Sequence, residues 1–262
     1  MSASPLSAVT NTVTHTLKCL FEQLPSDNIR ELSALLKQHW LQHGVSDAIV
    51  AARLAVEDGA VADAARWRLP QQGQSIQGLL SLQLRDDRPL DTLIPPWPLI
   101  SAYSVESREI TPPPAPENDT AEERTPGSLQ VCLFRFRRDI SRANAIDYWR
   151  DEHAVIACAT QSTVGYRQHL ITAKQTGNST DFDGLVEEYF PSEASHSSLV
   201  FFNAQTAAQR QDHITQLTTS SSRFIAMDSL MVNHLSDYRL NITDTQQSLD
   251  LQLSTSKRKV TP

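Results

Sequence analysis

The sequence predicts an α+β chain in which two βαββαβ units pack their sheets together as one α/β barrel. Two observations carry this prediction. Each half shows strand, helix, strand, strand, helix and strand signals in the same order. Between the halves, Thr111 to Ser128 (TPPPAPENDTAEERTPGS) replaces hydrophobic periodicity with proline, charge and small polar residues, as an interdomain linker does. A unit of this ferredoxin-like plan covers one face of its antiparallel sheet with its own helices and leaves the other face apolar and in need of a partner. A second copy in the same chain supplies that partner and makes an intrachain counterpart of a dimeric barrel. The expected units are residues 1–110, a linker at 111–128, residues 129–240 and a tail at 241–262.

In the first unit Cys19-Leu20-Phe21 lies in an apolar run ahead of a helix that ends at His43, and a β-like run follows from Asp47 to Val56. Gln77-Gly78-Leu79-Leu80 opens a third strand. Pro89 to Pro98 (PLDTLIPPWP) holds too many prolines for a full second helix. The second unit repeats the order: Cys132-Leu133-Phe134, a helix reaching His153, a β-like run from Gly165 to Thr172, Asp183-Gly184-Leu185-Val186 opening the third strand, and one or two helical segments within Ser192 to Gln216. The tail has no aromatic residue and ends near Lys257, Arg258 and Lys259, a cluster too short to favour nuclear targeting over a solvated terminus.

Composition narrows the function classes. The chain has 262 residues, enough for one large or two small domains, and 40% of them are apolar, enough to bury a core. A net charge of -7 argues against a broad basic footprint for nucleic acid or an anionic membrane, so a small molecule is the expected partner. The start, Met1-Ser2-Ala3-Ser4-Pro5, lacks the basic and apolar regions of a signal peptide, and no apolar run is long enough to span a bilayer. The cysteines Cys19, Cys132 and Cys158 are odd in number and far apart, which fits free thiols in a reducing, cytoplasmic setting. Eight glycines, without a phosphate loop, nucleophile elbow, paired CxxC or Rossmann fingerprint, disfavour a dinucleotide site. His39 and His43 stand four apart on the first helix but lack a third ligand nearby, so packing or surface histidines are favoured over metal.

The chemistry-bearing stretch is LFRFRRDISRANAIDYWRDEH, from Leu133 to His153, followed by DFDGLVEEYF from Asp181 to Phe190. Ser141 is placed to cap the helix, with Asp139 favourable beside the positive end of its dipole. Ala145, Trp149, His153 and Ile156 recur at helical spacing and form the sheet-facing stripe. His153 therefore points inward, either as a core histidine bonded to a carbonyl or as a general acid/base with an ordinary pKa near 6.5. Alternation on the third strand puts Asp183, Leu185, Glu187 and Tyr189 on one face and Gly184, Val186, Glu188 and Phe190 on the other. The matched first-unit strand is uniformly apolar on the face of Gly78, Leu80, Leu82 and Leu84. By that parity Glu187 shares the more polar face, where it could orient His153, bind a substrate hydroxyl or pair with Arg135, Arg137 or Arg167. Parity alone leaves open which face holds a pocket. Glu188 is read as reaching solvent. Tyr166 and His169 point to opposite faces, and of Tyr148 and Trp149 one packs while the other borders a pocket. With Gln77 and Ser81 at the matched positions, the first unit is expected to supply the partner sheet rather than chemistry.

RRDISRANAIDYWRDEHAVI followed by FDGLVEEYFPS resembles the EthD family of dimeric α/β-barrel proteins over about residues 129 to 235. The resemblance rests on the arginine pair before the helix, Tyr148-Trp149, His153, and Asp183-Gly184 with Glu187. It implies the barrel fold, and a function among auxiliary proteins of ether degradation or cofactor-free cyclases, dehydratases, decarboxylases and monooxygenases acting on aromatic polyketides. The expectation is an enzyme in which His153, supported by Asp183 or Glu187, transfers protons on a small apolar or aromatic molecule without metal or organic cofactor. Tyr148, Trp149, Tyr166, His169 and Tyr189 are the candidate binding residues. The rivals are a non-catalytic binding or auxiliary protein of an oxygenase system and a structural barrel filled by its own side chains. Tandem units allow a monomer, although a homodimer is also compatible.

Overall fold

A computed structural model describes residues 15–69, 75–116, 122–177 and 181–242. The first half contributes strands β1 (His15–Phe21), β2 (Ile49–Val56), β3 (Gly78–Leu84) and β4 (Leu99–Thr111), with helices α1 (Ile29–Gln42) and α2 (Leu90–Leu93). The second contributes β5 (Glu122–Arg124), β6 (Ser128–Phe134), β7 (Gly165–Gly177), β8 (Gly184–Phe190) and β9 (Met231–Leu240). Its helices are α3 (Arg142–Asp147), α4 (Ala154–Thr160), α5 (Ser198–Phe201) and α6 (Ala207–Ser221), and a π turn (Tyr148–His153) joins α3 to α4.

The strands run in the order β2-β3-β1-β4-β7-β8-β6-β9, and pairing of β2 with β9 closes them into an eight-stranded antiparallel barrel. The relative order within the first half, β2-β3-β1-β4, is the same as within the second, β7-β8-β6-β9. The halves meet along β4 and β7 and along β2 and β9, so neither sheet keeps a free edge. Alternation along the strands divides the core. Leu17, Cys19 and Phe21 of β1 and Leu80, Leu82 and Leu84 of β3 face outward beneath α1. Leu20, Leu79 and Tyr103 face inward and meet Leu129, Val131, Leu133, Leu185 and Leu235 of the other half. The interior is thus one core shared by both halves.

Local chemistry explains most element ends. Asn28 caps α1 by accepting the Arg30 N–H, and His43 is its C-cap residue. Pro89 precedes α2, whose four residues are followed by Ile94 and two prolines, the short helix that the proline content predicts. Ser141 caps α3 by accepting the Asn144 N–H. Three expectations are corrected. Glu122–Arg124, inside the predicted linker, pair with Tyr238–Leu240 of β9. Such a short charged strand has no apolar alternation to announce it. The second-half helix does not end at His153 but continues through AVIACAT to Thr160, because alanine-rich sequence sustains a helix. Finally, the π turn adds a residue to the helical period, so Ala157 rather than Ile156 is the buried residue of the stripe after His153. The predicted tail lies outside the described residues from position 243 onward.

Candidate active site

An apolar cavity of about 350 Å³ lies between the outer face of the second-half sheet and its helices. Its floor follows from strand register. Tyr166 on β7 pairs with Glu188 on β8, Glu188 with Gln130 on β6, and Gln130 with His234 on β9, so these four residues form one polar row on the same sheet face. Tyr166, Glu188 and Gln130 line the cavity, and His153 faces it from the π turn above. The walls are aromatic: Phe134, Trp149 and Phe224 from this half, with Phe134 edge-on to Trp149 at 5.2 Å between centroids and to Phe224 at 5.5 Å. Gly184 faces Phe134, and a Cβ there would stand 2.5 Å from the ring, so glycine is what lets the strand accept it.

The remaining wall comes from the other half of the chain. The 3₁₀ segment Gly59–Trp67 leads into Arg68 and Leu69, and Leu69 exchanges backbone hydrogen bonds with Val232 of β9. This bridge seats Trp67 at the cavity, stacked on Phe201 at 4.9 Å, and brings Arg66 and Arg68 to its lining.

His153 is 8% exposed. Its Nδ1 lies 2.9 Å from Ser220 Oγ, and that hydroxyl lies 3.0 Å from Tyr148 Oη. The α6 serine therefore engages one ring nitrogen, and the residue lines the cavity. Burial pushes the His153 pKa down to about 4, so the ring is neutral at pH 7. Gln168 Nε2 donates to the Trp149 carbonyl and to Tyr166 Oη, both at 3.0 Å, tying the π turn to the sheet. Glu188 accepts from Gln130 Nε2 at 2.9 Å, and burial pushes its pKa up to about 7. His234, also buried, has no hydrogen-bond partner on either ring nitrogen among the described residues, and burial pushes it down to about 4. Cys132 lines the cavity as a protonated thiol, raised well above the usual range by burial.

The structure brings together His153, Trp149 and Tyr166 of the predicted site, with Tyr148 behind His153 through Ser220. It does not place Asp183 or Glu187 there. Asp183 accepts the Phe136 N–H at 2.9 Å and pairs with Arg142 and Arg138, holding the helix entry against β8. Glu187 points into the barrel, with His169 and Tyr189. Its neighbour Glu188, read from sequence as reaching solvent, is 5% exposed and faces the cavity. The two adjacent glutamates are tuned oppositely. Burial raises both, but at Glu187 the charges of Lys18, His169 and Arg53 outweigh it and hold the carboxylate well below its usual range. Among the described residues no group of three or more His, Cys, Asp or Glu could hold a metal ion; His39 instead bonds the Asp91 carbonyl at 2.9 Å and packs on His43. No helix among the described residues is long and apolar enough to cross a membrane.

The EthD domain model matches residues 137–218, the segment that carries His153 and Glu188. No curated protein matches the sequence. Among solved structures the chain is similar to an anthrone oxidase-like protein, at 9% identity over 87% of this chain and 91% of that one, with a TM-score of 0.48. It is also similar to a proposed monooxygenase from Lactobacillus acidophilus NCFM, at 9% identity over 85% and 92% of the two chains, with a TM-score of 0.41. Likenesses this distant add nothing to the reading of the site.

Proposed function

We propose that this chain, whose residues 137–218 match the EthD domain family, is an enzyme that transfers protons on a small aromatic, polyketide-like molecule held in the cavity between sheet and helices. The observation that carries the reading is that a buried histidine and a buried glutamate, His153 and Glu188, face one aromatic-walled cavity. His153 is unprotonated above about pH 4 and can take a proton on Nε2, while Glu188 keeps its proton below about pH 7 and can give it. In a dehydration, the substrate C–H proton passes to His153, the electron pair forms the new double bond, and the hydroxyl leaves as water with the Glu188 proton. Exchange with solvent then resets both groups. Decarboxylation and cyclisation of the same class of molecule draw on the same proton transfers, and oxidation would in addition need dioxygen to take the electrons. Trp67, Trp149 and Phe201 supply flat apolar surfaces for an aromatic ring.

The shared strand order and the Cys-Leu-Phe run in both β1 and β6 support tandem ferredoxin-like units. Closure of the barrel within one chain supports a monomer, and three free cysteines support a reducing, cytoplasmic setting.

The test is proton exchange and turnover, followed by NMR in deuterated water with a panel of hydroxylated aromatic ketones. Exchange at a ring or α-carbon by the wild type, falling by about 10²–10⁴-fold in His153→Gln and in Glu188→Gln with binding retained, is the expected result. Binding without exchange or turnover of any panel member would favour the auxiliary binding protein instead.

A further inference from the structure

The molecule holds a second cavity, of about 490 Å³, at one end of the barrel interior, which the proposed proton chemistry does not use. Its wall carries four cationic side chains, Lys18, Arg53, Arg167 and Arg239, and one carboxylate, Glu109. Each cation has a counterion, but those of Lys18, Arg53 and Arg239 do not form the wall. Lys18 pairs with Glu187, Arg53 with Asp237, and Arg239 with Glu123 at 3.8 Å, and none of these carboxylates lines the cavity. Arg167 pairs with Glu109 at 2.9 Å and reaches Glu187 at 4.0 Å. Positive groups thus front the space while most of the negative ones stand behind them.

Two buried polar side chains, Lys18 and His169, face that space, and Lys18 keeps bonding capacity. Lys18, 3% exposed, donates to Glu187 and, at 2.9 Å, to Ser81 Oγ, which uses two of its three ammonium protons. His169, 2% exposed, bonds Ser107 Oγ through Nδ1 at 2.8 Å, and its Nε2 faces Glu187 at 3.4 Å. Both residues line the cavity. Buried ion pairs contribute little net stability by themselves, because desolvation offsets their attraction, and here they front a space large enough for a small molecule. The rim is also seated closely: a Cβ on Gly165 would stand 2.7 Å from Pro113 Cα, so the glycine lets the proline segment lie against β7.

We infer that this barrel-end cavity is a second ligand site, for a small molecule carrying a carboxylate or phosphate group, which the free Lys18 donor and the guanidinium groups would receive. On a chain of net charge -7, a cation-lined concavity draws anions to one place rather than over the surface. The inference stands apart from the proton chemistry, since it concerns the opposite face of the β7 and β8 sheet.

Isothermal titration of the full chain with malonate and, separately, with inorganic phosphate, each against chloride at matched ionic strength, tests it and separates the two oxyanion classes. Saturable binding of at least one anion, one per chain, is expected, and NMR should show the His169 signal move while that of His153 does not. Arg239→Gln, at a side chain 69% exposed and so safe for folding, should weaken binding about tenfold or more, whereas Trp67→Ala in the aromatic cavity should leave it unchanged. No saturable heat beyond chloride at millimolar anion, equal binding by Arg239→Gln, or loss of binding in Trp67→Ala would each overturn the assignment. Turnover enters none of these readings, so failure here is distinguishable from failure of the proposed enzyme.

Discussion

At the scale of single residues, burial without a countercharge does most of the work at His153 and Glu188. It lowers the pKa of a base and raises that of an acid, and so leaves both neutral between about pH 4 and pH 7. The pH profile of turnover should accordingly be bell-shaped, with limbs near those values, and Glu188→Gln should abolish the alkaline limb along with most of the rate. A profile flat through pH 7 in the wild type would remove Glu188 from the reaction. The buried Lys18–Glu187 pair poses the opposite problem, because deleting one partner strands the other. Lys18→Met is expected to destabilise the fold by about 3–5 kcal/mol, and the double variant Lys18→Met/Glu187→Leu by much less, as urea unfolding of the cycle would show.

Among the elements, the π turn and the close contact at β8 are the features that aim the site. Tyr148–His153 gains a residue over α-helical winding, and His153 and Ala154 both become buried in succession. Deleting Glu152, an exposed residue of that turn, should restore α-helical winding and rotate His153 off the cavity. Helical circular dichroism would be retained, while ligand-dependent shifts of the His153 NMR signal would be lost. On β8, Gly184→Ala is expected to push Phe134 from its place against Trp149 and Phe224 and to cost about 1–3 kcal/mol, measured by thermal or urea unfolding.

For the whole molecule, the shared interior makes the halves interdependent. Leu20, Leu79 and Tyr103 have no apolar partner across the barrel without Leu129, Leu133 and Leu185, so the isolated segment 15–116 should fail to fold and the full chain should unfold in one transition. Two well-separated transitions would contradict this. Acid sensitivity also belongs at this scale. His153, His169 and His234 all have folded pKa values lowered to about 4. A buried neutral histidine contributes stability that is present above its unfolded pKa, near 6.5, and lost as pH falls toward the folded value. The chain should therefore lose stability between about pH 6.5 and pH 4, and His234→Phe should lessen that loss.

Much of this was legible in the residues alone. Order and type of the main elements followed from periodicity, caps and prolines, because those signals act within a few residues of one another. Strand parity correctly divided Glu187 from Glu188 and Tyr166 from His169. It also bears on the cavity: the uniformly apolar face of β3 is the one its helix covers, and the matching face of β8, with Gly184, Val186, Glu188 and Phe190, is the one that His153 looks onto. The sequence by itself thus determined a histidine on a sheet-facing helix and two glutamates on opposite faces. Tertiary structure decided which glutamate meets it, since parity sorts side chains into two sets but only packing says which set is covered by helices and which is enclosed by the other half. It also decided that Trp67 and Arg68 wall the cavity, through the pairing of Leu69 with Val232, and that Lys18 meets Glu187 across the barrel. Contacts between residues so far apart in the chain leave no local pattern, because they arise only when the two sheets close on each other.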